Sequence, residues 1–180
     1  MTQIAVIVGS LRADSLNKKL AKNIESLAPA GTEFVYADIS GLPLFSQDIE
    51  ADFPASAQAL KDVIEAADGV LVVTPEYNRS IPGVLKNAID WASRPWGSNS
   101  FDGKPAGIVG ASMSPLGTAL AQAHLKDILV YLNTQLMGQP EVYITGAHEV
   151  FDDEGVVVES SKDRLQRYID AFIAHVNKQK

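Results

Sequence analysis

The sequence predicts an α/β protein built on a doubly wound, five-stranded parallel sheet of order 2-1-3-4-5. Three observations carry that prediction. Strand-like apolar runs alternate with helical periods from end to end. The runs are continuous rather than alternately apolar and polar, as in strands covered by helices on both faces. Five strands and five helices also suit a sheet of this kind within 180 residues.

The first strand is Ile4–Val8, and the small polar loop Gly9–Asn17 leads from it straight into a helix. Leu16, Leu20, Ile24 and Leu27 form that helix's apolar stripe, which Pro29-Ala30-Gly31 ends. A second strand, Glu33–Ala37, follows. Pro54 opens the second helix, where Leu60, Val63, Ile64 and Ala67 keep the spacing of a buried face. Gly69–Thr74 is the third strand. Pro82 opens the third helix, carrying Leu85, Ala88, Ile89 and Trp91. Arg94–Gly103 reads as a loop, and Ala106–Val109 as the fourth strand. Leu125, Ile128, Leu129 and Leu132 mark the fourth helix, and Glu141–Thr145 the fifth strand. Leu165, Ile169, Phe172, Ile173 and Val176 mark the last helix. No repeat, low-complexity tract or linker interrupts the pattern, so residues 1–180 are expected to form a single domain.

Composition narrows the function classes. A net charge of −7 disfavours nucleic acid and anionic membrane surfaces as partners. The absence of cysteine excludes disulfides, thiolate catalysis, iron–sulfur clusters and cysteine-based zinc sites. His148 and His175 show no metal-ligand spacing, so no metal site is expected. No basic leader precedes the first strand, and no apolar run approaches the roughly 20 residues of a membrane span. A cytoplasmic domain is the expectation.

Two segments carry chemistry. The first, G-S-L-R-A-D-S-L-N from Gly9 to Asn17, joins a strand end to a helix start. Unpaired N–H groups and the positive end of the helix dipole favour an anion there. Ser10, Ser15 and Asn17 can add side-chain donors, and Arg12 a planar charged fork suited to phosphate. Ser15 also reads as the helix N-cap, a compatible role. The second segment, P-E-Y-N-R-S-I-P-G from Pro75 to Gly83, follows the third strand and is pinned by Pro75 and Pro82. In a sheet of order 2-1-3-4-5, both segments lie at the carboxyl ends of strands one and three, the switch point where ligands bind.

Together, G-S-L-R-A-D-S-L-N and P-E-Y-N-R-S-I-P-G-V-L-K-N-A-I-D-W resemble the NADPH-dependent FMN reductase family, flavodoxin-like quinone, chromate and azo-dye reductases. The resemblance runs from Ile4 to the final helix. It implies that Ser10, Arg12, Ser15, Leu16 and Asn17 bind the FMN phosphate, and that Pro75, Glu76, Tyr77 and Asn78 bind the ring. Ser112, after the fourth strand, falls at a further flavin contact. Reduced nicotinamide (NADPH or NADH) would then deliver a hydride to FMN, and a quinone, azo compound, free flavin or metal oxyanion would take it from the same cleft. The flavin carries the redox chemistry, so no side chain is required as a catalytic acid or base. The resemblance further implies a homodimer or homotetramer.

Two departures from the family pattern stand out. Arg79 follows P-E-Y-N where an aromatic or small residue is common; it reads either as a solvated rim arginine or as a contact for a nicotinamide phosphate. After the fourth strand, Pro115, Leu116 and Leu120 replace the expected glycines and arginine.

Competing readings attach to the same residues. Gly110-Ala111-Ser112-Met113-Ser114 falls one residue short of a nucleophile elbow, which would make Ser112 a hydrolase nucleophile with His148 as base. A flavodoxin-type electron carrier without NAD(P)H turnover suits the fold and charge, but such carriers bind phosphate without an arginine. Asn78 tolerates φ > 0 and fits turn geometry alone, whereas Glu76 reads as a contact through its backbone. Trp91, Trp96 and His124 read as packing or interface residues.

Overall fold

The computed structural model describes all residues, 1–180. Strand β1 (Thr2–Val8) lies between β2 (Thr32–Tyr36) and β3 (Gly69–Val73), and β4 (Pro105–Ala111) follows β3, all parallel. The order is 2-1-3-4-5, the flavodoxin-like arrangement expected from the alternation of elements. Helix α1 (Leu16–Leu27) connects β1 to β2, α2 (Ala55–Ala66) connects β2 to β3, and α3 (Gly83–Ala92) connects β3 to β4. Helices α4 (Ala119–Tyr131), α5 (Ala147–Val150) and α6 (Glu159–Lys178) complete the chain, with one 3-10 turn at Gln47–Ile49.

The apolar strands sort their side chains by parity onto two cores. Ile4 and Val6 of β1, with Leu71 and Val73 of β3, face α1 and α6. Ala5, Ile7, Val70 and Val72 face α2, α3 and α4. The close seating of α6 depends on Gly107 in the middle of β4. A Cβ there would stand 2.7 Å from the Phe172 ring and 2.9 Å from the Tyr168 hydroxyl.

The fifth strand position differs from the sequence expectation. Glu141–Thr145 was expected to fill it, but two short segments share it. Segment β5 (Gln135–Leu136) pairs with Pro105–Ala106, and β6 (Tyr143–Ile144) pairs with Gly110–Ala111. Between them the chain leaves the sheet through Gly138-Gln139-Pro140, with a cis peptide before Pro140. Proline has no N–H for the ladder, and a glycine beside it weakens extended pairing, so the edge breaks there. Only the carboxyl half of the expected strand remains, and it lies beside the end of β4.

Of the two tryptophans, Trp91 is fully buried. Its ring meets Phe45 and Phe53 edge-on, and its indole N–H donates to the Pro43 carbonyl over 2.8 Å. Trp96, on the Arg94–Gly103 loop, is 83% exposed. No helix is long and apolar enough to cross a membrane.

Candidate active site

The carboxyl ends of β1, β3 and β4 open onto a cleft of about 170 Å³. Nine of the residues singled out from the sequence line it: Ser10, Arg12, Ser15, Leu16 and Asn17 from the first loop, Pro75, Glu76 and Tyr77 from the second, and Ser112. Asn78 and Arg79 do not; they form the outer turn of the second loop. Ala111 and Met113 also line the cleft, although the sequence pointed to them only as neighbours of Ser112 in the near-elbow and not as cofactor contacts. Their signal was their place at and just beyond the end of β4, next to Ser112.

The first loop is a cradle of unused donors. None of the backbone N–H groups of Leu11 through Ser15 reaches a backbone carbonyl, and those of Leu16 and Asn17 lie in the first turn of α1, where no intrahelical acceptor exists. Ser15 is the N-cap: its hydroxyl oxygen accepts from the Lys18 N–H at 3.3 Å, leaving the hydroxyl hydrogen free to donate. Arg12 is exposed and has no carboxylate partner, so its guanidinium is available. Asp14 places a negative charge in the same loop, but Lys19 pairs with it at 2.7 Å and holds its carboxyl below the usual range. A terminal phosphate monoester fits this donor set, and no G-x-G-x-x-G stretch is present for a pyrophosphate.

Asn17 has a different place from the rest of the cradle. It is buried, and its carboxamide pairs both ways with Ala111. Nδ2 donates to the Ala111 carbonyl at 3.0 Å, and Oδ1 accepts the Ala111 N–H at 2.9 Å. The side chain therefore ties the first turn of α1 to the end of β4 and holds two walls of the cleft in register.

The second loop is a two-residue hairpin. Tyr77 and Ser80 exchange both backbone hydrogen bonds at 3.0 Å, and the turn residues Asn78 and Arg79 have φ of 51° and 64°. Paired positive φ values suit a type I′ turn, which asparagine tolerates well and arginine less so. The hairpin is braced against α4. One Glu76 carboxylate oxygen accepts the N–H groups of Leu120 and Ala121 at 3.0 and 3.1 Å, and the other lies 3.4 Å from the Arg79 guanidinium. A carboxylate at a helix N-terminus is favourably placed. His124 adds a second brace, with its Nδ1 3.0 Å from the Ser80 hydroxyl. The Glu76 side chain is thus committed to structure, while Tyr77 stays half exposed at the cleft mouth.

After β4, Ser112 Oγ accepts from the Ser114 N–H at 3.0 Å, and Ser114 Oγ from the Leu116 N–H at 3.2 Å. The turn is built on serine hydroxyls, and it sends Met113, Leu116 and Leu120 out to the surface. The hydrolase alternative finds no base here: no histidine hydrogen-bonds to the Ser112 hydroxyl, and the His148 ring sits 3.7 Å from Glu149.

The model of the NADPH-dependent FMN reductase family matches residues 2–149. The chain belongs to that family. A 2-hydroxy-1,4-benzoquinone reductase from a Burkholderia species is 53% identical over 97% of this chain and 96% of its own length. A quinone reductase from Pseudomonas putida is 41% identical over 96% and 94%. Among solved structures, the flavoenzyme NAD(P)H:(acceptor) oxidoreductase FerB from Paracoccus denitrificans superposes with a TM-score of 0.94 at 48% identity, covering 99% of each chain. This family member is therefore an oxidoreductase of the FMN- and NAD(P)H-dependent class, and the electron-carrier alternative is not favoured.

Proposed function

We propose that residues 1–180 act as one FMN-binding reductase domain that carries reducing equivalents from NADPH or NADH to small acceptors: quinones, azo compounds, free flavins or metal oxyanions. The observation that carries this reading is the cradle of unpaired donors at Gly9–Asn17 facing a braced hairpin across one cleft. When bound, FMN supplies the redox chemistry, taking a hydride from reduced nicotinamide and passing it on. Ser10, Arg12, Ser15 and the N-terminal amides of α1 hold the phosphate. Asn17 and Glu76 keep the cradle, the end of β4 and the hairpin in one geometry. Pro75, Tyr77 and the backbone of Glu76 would hold the ring, with Ser112 and Met113 also lining its place. Donors directed at the ring's carbonyl edge favour the negative charge of its reduced form. The exposed Tyr77, Met113 and Leu116 make an open apolar rim that suits flat acceptors of many kinds.

With one cleft for both substrates, steady-state rates with NADPH and a benzoquinone are expected to give parallel double-reciprocal lines. Intersecting lines would rule out a shared site. The same assay, run across acceptors with NADH and NADPH, identifies the preferred pair.

Arg79 projects from the rim on a turn that holds it away from the cradle. We assign it to a phosphate of the incoming nicotinamide nucleotide, although it also leans toward Glu76. Arg79→Ala is expected to raise KM for NADPH at low salt while FMN content stays unchanged. Equal KM values would leave Arg79 a solvated partner of Glu76.

We further read the chain as a cytosolic homodimer or homotetramer with the cleft near the subunit boundary. Trp96 at 83% and Tyr131 at 78% exposure, with Val130 beside Tyr131, leave apolar surface beyond the sheet-covering faces of α3 and α4. Trp91, buried in its own subunit, adds nothing to that surface. Light scattering of the FMN-loaded protein at micromolar concentration should report at least twice the 19.3 kDa chain mass; a single monomeric species would overturn the assignment.

A further inference from the structure

A second cavity adjoins the cleft on its far side. It lies at the carboxyl ends of β1 and β2, has a volume of about 320 Å³, and shares Ser10 with the cleft as a common wall. We propose that it is a subsite for the adenosine phosphate half of the reduced nicotinamide dinucleotide, an inference that rests on the reductase reading above.

Its lining combines the three things a nucleoside phosphate needs. Val8, Leu11 and Ile39 supply apolar walls for a flat base, and the half-buried Tyr36 ring adds an aromatic one. Lys18 supplies the cation. Its ammonium makes no hydrogen bond or ion pair in the protein, whereas Lys22 beside it is already held by Glu25 at 2.9 Å and lies 4.1 Å from the centre of the Tyr36 ring. Asp38 supplies the acceptor: one carboxylate oxygen takes both the N–H and the hydroxyl of Ser40, at 2.8 and 2.7 Å, and the other remains for a hydroxyl. That oxygen can accept from the ribose 3′-hydroxyl, which leaves a 2′-phosphate to Lys18.

Position supports the same occupant. The hairpin that flanks the flavin ring follows β3, the phosphate cradle follows β1, and this cavity follows β2 on the other side of the cradle. A dinucleotide with its nicotinamide over the ring can pass beside the FMN-filled cradle, along the shared Ser10 wall, and end here. Against a chain charge of −7, an uncommitted lysine at that end gives a local attraction for phosphate that the overall field does not.

The test uses FMN-loaded protein, wild type and Lys18→Ala, with Lys162→Ala as a control that removes the same charge from α6. Calorimetry measures adenosine 2′,5′-bisphosphate binding, and steady-state assays measure KM for NADPH and for reduced nicotinamide mononucleotide, which lacks the adenylate. The proposal expects wild type to bind the bisphosphate and Lys18→Ala to weaken it about tenfold or more, the loss for one charged hydrogen bond. KM for NADPH should rise in parallel, KM for the mononucleotide should not, and Lys162→Ala should match wild type. No bisphosphate binding to wild type, or equal KM changes for both reductants, overturns the subsite and leaves the reductase reading standing. Failure to oxidise either reductant overturns the reductase reading itself. Tighter binding of FAD than FMN by the apoprotein, lost in Lys18→Ala, assigns the cavity to a flavin dinucleotide instead and overturns the proposal.

Discussion

Arg12→Ala is expected to weaken FMN binding by about 1.5–3 kcal/mol, roughly a ten- to hundredfold rise in Kd. The guanidinium is the one full positive charge lining the cleft, and nearby Lys19 of α1 is spent on Asp14. The remaining cradle donors are neutral: backbone N–H groups and the hydroxyls of Ser10 and Ser15. A charged hydrogen bond is worth about twice a neutral one, so Arg12 should be the largest single side-chain contributor to phosphate affinity. Arg12→Lys should recover part of the loss, since an ammonium keeps the charge but not the fork. Fluorescence quenching of FMN titrated with apoprotein measures both variants. Unchanged affinity in Arg12→Ala would remove the residue from the phosphate site.

The largest stability effect is expected at Asn17. Replacing it with alanine leaves the Ala111 N–H and C=O without their side-chain partners in a buried position. An orphaned buried polar group costs about 1–3 kcal/mol, so the pair predicts a loss of about 2–5 kcal/mol. The measurement is urea unfolding of the apoprotein, because bound FMN would add its own linkage to the folded state. A lower midpoint with an unchanged slope is the expected result. A loss under about 0.5 kcal/mol would mean that water replaces the carboxamide at Ala111. FMN affinity should also fall in Asn17→Ala, although its carboxamide is already paired with Ala111, because the cradle and the end of β4 lose their tie.

Much of this was legible in the sequence. Strand and helix identities follow from apolar periodicity in short windows, and Pro54 and Pro82 each stand immediately before the first residue of a helix. Ser15 as N-cap and Asn78 as a turn residue are local preferences too, set by side-chain reach and allowed φ. The edge of the sheet was less legible. The two-residue segments β5 and β6 carry too little pattern to stand out, and β5, Gln135–Leu136, lies before Gln139-Pro140, outside the expected strand Glu141–Thr145.

By itself, then, the sequence determined the doubly wound order and the family, because these depend on neighbours along the chain. Only the tertiary structure decided which polar side chains face the cleft and which hold it together. Asn17 looked like a phosphate donor, but its partner lies 94 residues away at Ala111. Glu76 belongs to the segment that the family resemblance assigns to the ring, yet its carboxylate caps a helix 44 and 45 residues on. The cavity beside Tyr36 and Lys18 has no motif at all, being assembled from the ends of β1 and β2 and one face of α1. Hydrogen-bond capacity is written in the residue type, but its use is set by what packing brings within about 3 Å, and that is a property of the folded chain.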